Sequence, residues 1–180
     1  MVDISKNVYV GIDPGKYGAI FIIFPNGYTC YDAPSEPKEI LEFCRKLYND
    51  LSDYKNKYVL LERSMIYGGQ GSASSRTTIL NFGYWEMALL SAGFNPETVM
   101  PKTWQANTVG KFYNIKIEGL SRYERRKKIK DYVISYATLR YPNVKFRDVG
   151  ARGGNKDYDG RADASCIAEY CKIVNLYKGE

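Results

Sequence analysis

The stretch Val8-Tyr9-Val10-Gly11-Ile12-Asp13-Pro14-Gly15-Lys16-Tyr17-Gly18-Ala19-Ile20-Phe21-Ile22-Ile23-Phe24-Pro25-Asn26-Gly27-Tyr28-Thr29-Cys30-Tyr31-Asp32 decides the fold. Val8, Val10 and Ile12 alternate with Tyr9, Gly11 and Asp13, the period of a strand that ends at Asp13. Pro14-Gly15-Lys16 supplies a turn, and residues 19–24 read as a second strand. Pro25-Asn26-Gly27 is a hairpin signal, so residues 28–32 return as a third strand. Three consecutive strands joined by tight turns make an antiparallel meander.

Outward from the meander the pattern changes period. Pro37 opens a helix whose apolar stripe is Ile40, Leu41, Phe43, Cys44 and Leu47. Tyr58-Val59-Leu60-Leu61-Glu62 is a short, nearly continuous apolar run, as expected of a central strand covered on both faces. Residues 68–72 form a glycine-rich loop, after which Ser74 or Ser75 caps a helix that runs to Ala92 and stops at Gly93. Residues 95–100 support a further strand before Pro101. Ser121-Arg122-Tyr123-Glu124 is a capping box that starts a helix reaching about Arg140, ahead of Pro142. A Gly- and charge-rich loop over 150–158 leads into a last helix over 159–177. The order β-β-β-α-β-α-β-α-α predicts an α/β sheet with an antiparallel edge, flanked by helices. The 180 residues suit one domain spanning 1–180 that buries roughly 70% of its unfolded surface.

Composition narrows the chemistry. The chain has no histidine, so Ser-His and Cys-His nucleophile pairs and imidazole-bound zinc are excluded. Cys30, Cys44, Cys166 and Cys171 show no C-x-x-C spacing and read as reduced packing thiols. No charged-then-apolar leader opens the sequence, and no apolar run approaches the ~18 residues of a membrane span. A soluble protein of a reducing intracellular compartment is expected, cytoplasm or organelle matrix, without membrane partners or a small-molecule cofactor. Between Lys102 and Lys130 nine basic residues face only Glu118 and Glu124, while the whole chain carries +6. The rest of the chain is therefore close to neutral, and the basic block predicts a polyanionic partner.

Three acids stand where acids are expensive. Asp13 ends a strand at a turn, Glu62 ends the most apolar strand, and Asp163 belongs to the helical series Asp159, Asp163, Ile167, Cys171, Val174. Taken singly, each has a plain role open to it: an Asx turn for Asp13, a solvated strand end for Glu62, a helix cap for Asp159. Taken together, strand-end and helix-face acids would converge at one sheet edge and repel, and burying one unpaired charge costs several kcal/mol. A divalent cation removes both problems, and an all-oxygen ligand set selects Mg²⁺ or Mn²⁺ over zinc. Two such ions about 4 Å apart beside a basic surface suit in-line phosphodiester hydrolysis without a protein general base.

Four segments carry a resemblance: Gly11-Ile12-Asp13-Pro14-Gly15 with Gly18-Ala19, Leu60-Leu61-Glu62, Pro101-Lys102-Thr103-Trp104, and Asp159-Gly160-Arg161-Ala162-Asp163-Ala164. In order and spacing they resemble the RuvC-like Holliday junction resolvases, most closely the compact phage and organellar branch, over nearly the whole chain. The resemblance implies an RNase H-like mixed five-stranded sheet flanked by helices, with the antiparallel three-strand meander plus parallel strands. It also implies a homodimer acting in DNA recombination and repair, which nicks four-way junctions with Mg²⁺ (Mn²⁺ the substitute, two ions per site). The products would carry 5′-phosphate and 3′-hydroxyl ends. Asp13, Glu62, Asp159 and Asp163 would be the metal-binding catalytic acids. The four-residue spacing of the last two departs from many bacterial members, and Asp157 is the alternative to Asp159.

The capping-box helix carries Arg122, Arg125, Arg126, Lys127, Lys128 and Lys130 all round its axis, so its first turns are expected to project past the core and contact DNA phosphates. Lys102, Lys111, Arg147, Arg152, Lys156 and Arg161 are further candidate DNA contacts, and the Gly153-Gly154 loop would order only on DNA. Tyr67 could stack on an unpaired base at the crossover. The helix bearing Ile79, Leu80, Phe82, Tyr84, Trp85, Met87, Leu89 and Leu90 is apolar nearly all round, which favours a two-fold dimer. Three competing functions stay open: another RNase H-like nuclease acting on RNA–DNA hybrids or branched DNA, a non-catalytic junction-binding module, and an actin-like phosphotransferase. The last needs two such domains, for which this length leaves no room.

Overall fold

Alternation along β1 (Asn7–Asp13) sends successive side chains to opposite faces of a sheet, and each face is roofed by helices. The structure is a computed structural model that describes residues 6–63, 72–115, 118–149 and 155–176. β1, β2 (Ala19–Phe24) and β3 (Gly27–Asp32) form the antiparallel meander, with Ile12 opposite Ile20 and Phe21 opposite Cys30. β4 (Asn56–Glu62) runs parallel to β1, and β5 (Glu97–Val99) runs parallel to β4. The five strands lie in the order β3-β2-β1-β4-β5. This is the mixed α/β arrangement expected from the sequence, and it is an RNase H-like sheet.

α1 (Pro37–Asp50) and α2 (Ser72–Ala92) share one core with Val8, Val10, Ile12, Ile20, Ile22, Val59 and Leu61. On the other face Tyr9, Ala19, Phe21, Leu60 and Val99 share a second core with α6 (Asp159–Leu176) and α5 (Arg122–Arg140), which contribute Ala164, Ile167, Ala168, Val133 and Ala137. The odd-numbered residues of β1 thus face α6 and the even-numbered ones face α1 and α2. α6 crosses β1 at backbone distance: a Cβ added to Gly11 would lie 2.2 Å from the Ala168 nitrogen and 2.4 Å from the Ala164 oxygen. Glu169, buried on α6, accepts hydrogen bonds from the Arg140 guanidinium and, at 2.5 Å, from the Tyr141 hydroxyl, fastening the end of α5 to α6.

Three local expectations differ from the structure, and one stretch without an expectation is helical. α2 begins at Ser72, earlier than a cap at Ser74 or Ser75. The strand expected over 95–100 contracts to Glu97–Val99. Residues following Pro101 are helical: α3 (Pro101–Gln105), a π-helical turn (Ala106–Gly110) and α4 (Lys111–Tyr113). Proline at the first helical position starts this run, but its pieces are too short to show a periodic apolar stripe. Finally, part of the expected loop over 150–158 is β7 (Asn155–Asp157), antiparallel to β6 (Arg147–Val149). Arg147 and Asp157 are opposite one another there and form an ion pair at 2.6 Å. All four cysteines are free, and Cys44, Cys166 and Cys171 are buried in the cores.

Candidate active site at the carboxyl edge of the sheet

Parallel pairing sets two acids side by side. Ile12 pairs with Leu61 across β1 and β4, so Asp13 and Glu62 are the next residues on neighbouring strands, spaced at about 4.8 Å between strands. Both belong to the face covered by α6. Asp163 lies in the second turn of α6 and Asp159 in its first. That turn is pressed onto the hairpin after Asp13, because a Cβ on Gly160 would sit 2.1 Å from the Tyr17 carbonyl oxygen. Only glycine admits this approach, and it draws the helix-borne acids toward the strand ends.

The electrostatics follow from the crowding. Burial pushes Asp13 up to about 6, against the Gly15 N–H that donates to its Oδ1 at 2.9 Å, and the charge of Asp159 adds to the rise. Burial pushes Glu62 up to about 8, reinforced by Asp13 and opposed by the Trp104 Nε1–H, which donates to Glu62 Oε2 at 2.7 Å. Asp163 is raised well above the carboxylate range, first by burial and then by Asp13, Glu62 and Asp159, with Lys130 pulling the other way. Asp13, Glu62 and Asp163 are nevertheless only half-buried, so the edge is open to an arriving ion or strand.

These values exceed the ordinary carboxylate ones, so protonation favours the folded form. In a chelator, stability is therefore full below about pH 4 and falls as pH rises through 6 and 8. The thermal midpoint in EDTA is expected to drop by ~5 °C or more between about pH 5 and about pH 8.5. Asp163→Asn should flatten that dependence; a variant with the wild-type slope would contradict the burial and crowding of Asp163.

Asp159 has a cation of its own. Lys130 of α5 lies 2.6 Å from Asp159 Oδ2 and 3.7 Å from Asp157, while Asp159 Oδ1 is buried without a hydrogen-bond partner. Asp157 pairs mainly with Arg147, whereas the charge of Asp159 acts on both Asp13 and Asp163. Several expected DNA contacts also form ion pairs within the chain. Arg161 makes a two-pronged pair with Asp32 at 2.6 and 2.7 Å and stacks over Tyr158 at 4.5 Å. Arg147 binds Asp157 and Asp131, and Lys130 is held as above. The cause is tertiary: Asp32 on β3 and Asp131 on α5 are brought in by the fold. Arg122, Arg125, Arg126 and Lys127 are exposed on the first turns of α5, whose later residues Val133, Ile134, Tyr136 and Ala137 are buried. Lys128 is half-buried there, and Lys102 and Lys111 are exposed on α3 and α4. Lys156 lies on β7, while Tyr67, Arg152 and the Gly153-Gly154 pair fall outside the described residues.

A divalent cation is suited by the donor chemistry: all-oxygen side chains, mutually repelling, with one buried carboxylate oxygen left unpartnered. Among the described residues, no three acid or thiol side chains are already gathered closely enough to enclose an ion. The residue that sequence reasoning did not assign to the site is Trp104, whose indole holds Glu62; the Pro101-Lys102-Thr103-Trp104 motif was its only signal.

The sheet order, the meander and the helix laid across β1 make an RNase H-like fold. No protein-family model and no curated protein matches the chain. Among solved structures, the fold is that of Thermus thermophilus RuvC in complex with a Holliday junction substrate, at 14% identity and a TM-score of 0.51 over 96% of each chain. A second structure of Thermus thermophilus RuvC aligns at 15% identity and a TM-score of 0.48 over 96% of each chain. The yeast mitochondrial Holliday junction resolvase Ydc2 aligns at 15% identity and a TM-score of 0.45, over 98% of this chain and 82% of that one.

Proposed function

We propose that this chain is a divalent-metal-dependent endonuclease that resolves four-way DNA junctions. The observation that supports the reading is the electrostatic influence of Asp13, Glu62 and Asp159 on Asp163 at a half-buried sheet edge, in a chain whose α5 opens with exposed cationic turns. The shared fold with a RuvC seen on a Holliday junction supports branched DNA as the substrate class. The four acids would hold Mg²⁺, with Mn²⁺ the substitute. Two such ions would activate the attacking water and stabilise the leaving 3′ oxygen, giving a 5′-phosphate and a 3′-hydroxyl. The chain's own residues would do the rest. α5 and the exposed Lys102 and Lys111 would bind backbone phosphates, giving affinity that falls steeply with salt and no base readout.

A junction has two opposed strands to cut, so one site is half of the apparatus. α2 presents Ile79, Leu80, Tyr84, Met87 and Leu90, between 41% and 61% exposed, on the side away from its own core. A second copy of the chain covering this face would place two acid edges about a two-fold axis. Met87→Glu combined with Leu90→Glu is expected to halve the mass seen by light scattering and to uncouple the two cuts. A double variant of unchanged mass would remove α2 from the interface.

The decisive test is a labelled synthetic junction incubated with Mg²⁺, Mn²⁺, Ca²⁺ or EDTA, with the products sized on both strands. Paired nicks with Mg²⁺ or Mn²⁺ alone are expected. Equal cutting of linear duplex or RNA–DNA hybrid would assign a different nuclease, and binding without cutting in any metal would leave a junction-binding module.

A further inference from the structure

Trp104 is fully buried at the start of the segment that joins β5 to the π-helical turn. Burial alone asks for any large apolar side chain, and this core is otherwise aliphatic and aromatic. What an indole adds is one N–H, and that N–H is spent on Glu62 Oε2 at 2.7 Å. An indole donates and never accepts, so it pins one carboxylate oxygen in a fixed direction and leaves the other lone pairs for a cation. The backbone that carries it is itself restrained. Thr108, buried in the π-helical turn, donates its hydroxyl to the Trp104 carbonyl at 2.8 Å and also hydrogen-bonds Cys166, one turn beyond Asp163 on α6. A single short segment thus touches both the strand acid and the helix that bears its partner, and π-helical turns of this kind are frequent at functional sites.

We propose that Trp104 is a positioning residue, orienting Glu62 toward a divalent cation through its indole N–H. This rests on the metal-dependent reading above. The chain has two tryptophans, and the other, Trp85, belongs to the opposite core with its own Nε1 unpartnered. The two can therefore be told apart by spectroscopy.

Trp85→Phe leaves Trp104 as the sole indole. Titrating this metal-free variant with Mg²⁺ is expected to change Trp104 emission saturably, and adding Glu62→Gln should abolish the change. In the otherwise wild-type chain, Trp104→Phe keeps the ring and removes the donor. Junction affinity in Ca²⁺ is expected to stay within about twofold, while the Mg²⁺ needed for half-maximal cleavage rises at least about tenfold, or about 1.4 kcal/mol of ion binding. Rescue of the Trp104→Phe rate by high Mg²⁺ would separate positioning from loss of structure. Should Trp104→Phe fail to fold, the emission titration decides alone. Trp104 emission that stays flat in a protein able to cut junctions overturns the proposal, as does an unchanged Mg²⁺ requirement in folded Trp104→Phe. An emission change in a protein that cuts no DNA would sink the nuclease reading and leave the role of Trp104 standing.

Discussion

Asp13→Asn is expected to lower junction cleavage by ~10³-fold or more, about 4 kcal/mol at the barrier, while junction affinity is kept or improved. The side chain keeps its shape and can still accept the Gly15 N–H through its amide oxygen, so the turn after β1 persists. What is lost is one negative charge at the place where Asp13 and Glu62 stand side by side. A cation there would lose a ligand and part of its electrostatic hold, whereas an incoming phosphate would meet less repulsion. The opposite signs of the two effects matter more than either magnitude. Cleavage by Asp13→Asn at the wild-type rate with Mg²⁺ would remove this edge from the chemistry. Cleavage and binding lost together would point to damaged structure instead. Because burial and neighbouring acids already strain the site, the metal-free variant should also melt higher than wild type at alkaline pH.

The largest expected effect on stability comes from the smallest change. Gly11→Ala places a methyl group 2.2 Å from the Ala168 nitrogen and 2.4 Å from the Ala164 oxygen, and both atoms are helix backbone. A flexible side chain could turn aside, but the main chain of α6 cannot without leaving the sheet. The cost should reach about 3 kcal/mol or more, the upper end for an overpacked core. A urea midpoint within ~0.5 kcal/mol of wild type, the scatter of ordinary surface changes, would show that α6 is not held in this contact. Surviving folded molecules should bind Mg²⁺ weakly, because the same displacement carries Asp163 away from Asp13 and Glu62.

How far the sequence reveals this depends on the range of the interaction. The meander is legible because alternation and turn residues act within a few positions, as at Val8 to Ile12 and Pro25-Asn26-Gly27. The Ser121-Glu124 capping box is legible for the same reason, and both of its reciprocal hydrogen bonds form. Asp13, Glu62 and Asp163 stand out in the sequence because each ends or extends an apolar pattern that must face the sheet. Their chemical role is what the junction assay tests. The β6–β7 pairing is not legible, since it is marked by the Arg147–Asp157 ion pair rather than by apolar alternation. Helical structure after Pro101 was hidden by brevity. The partners of Arg161 and Lys130 were hidden by distance: Asp32 lies 129 residues from Arg161 along the chain and less than 3 Å from it in space.

The Lys130–Asp159 pair gives the acid edge two unlike jaws. Asp13 and Glu62 are clamped by the hydrogen-bonded ladder of two adjoining interior strands, and ionic strength barely touches such a mount. Asp159 is moored by an ammonium group whose side chain is 42% exposed, a tether that dissolved electrolyte loosens. Brine therefore slackens one jaw and spares the other, so the grip on an ion should become lopsided before any strand comes apart.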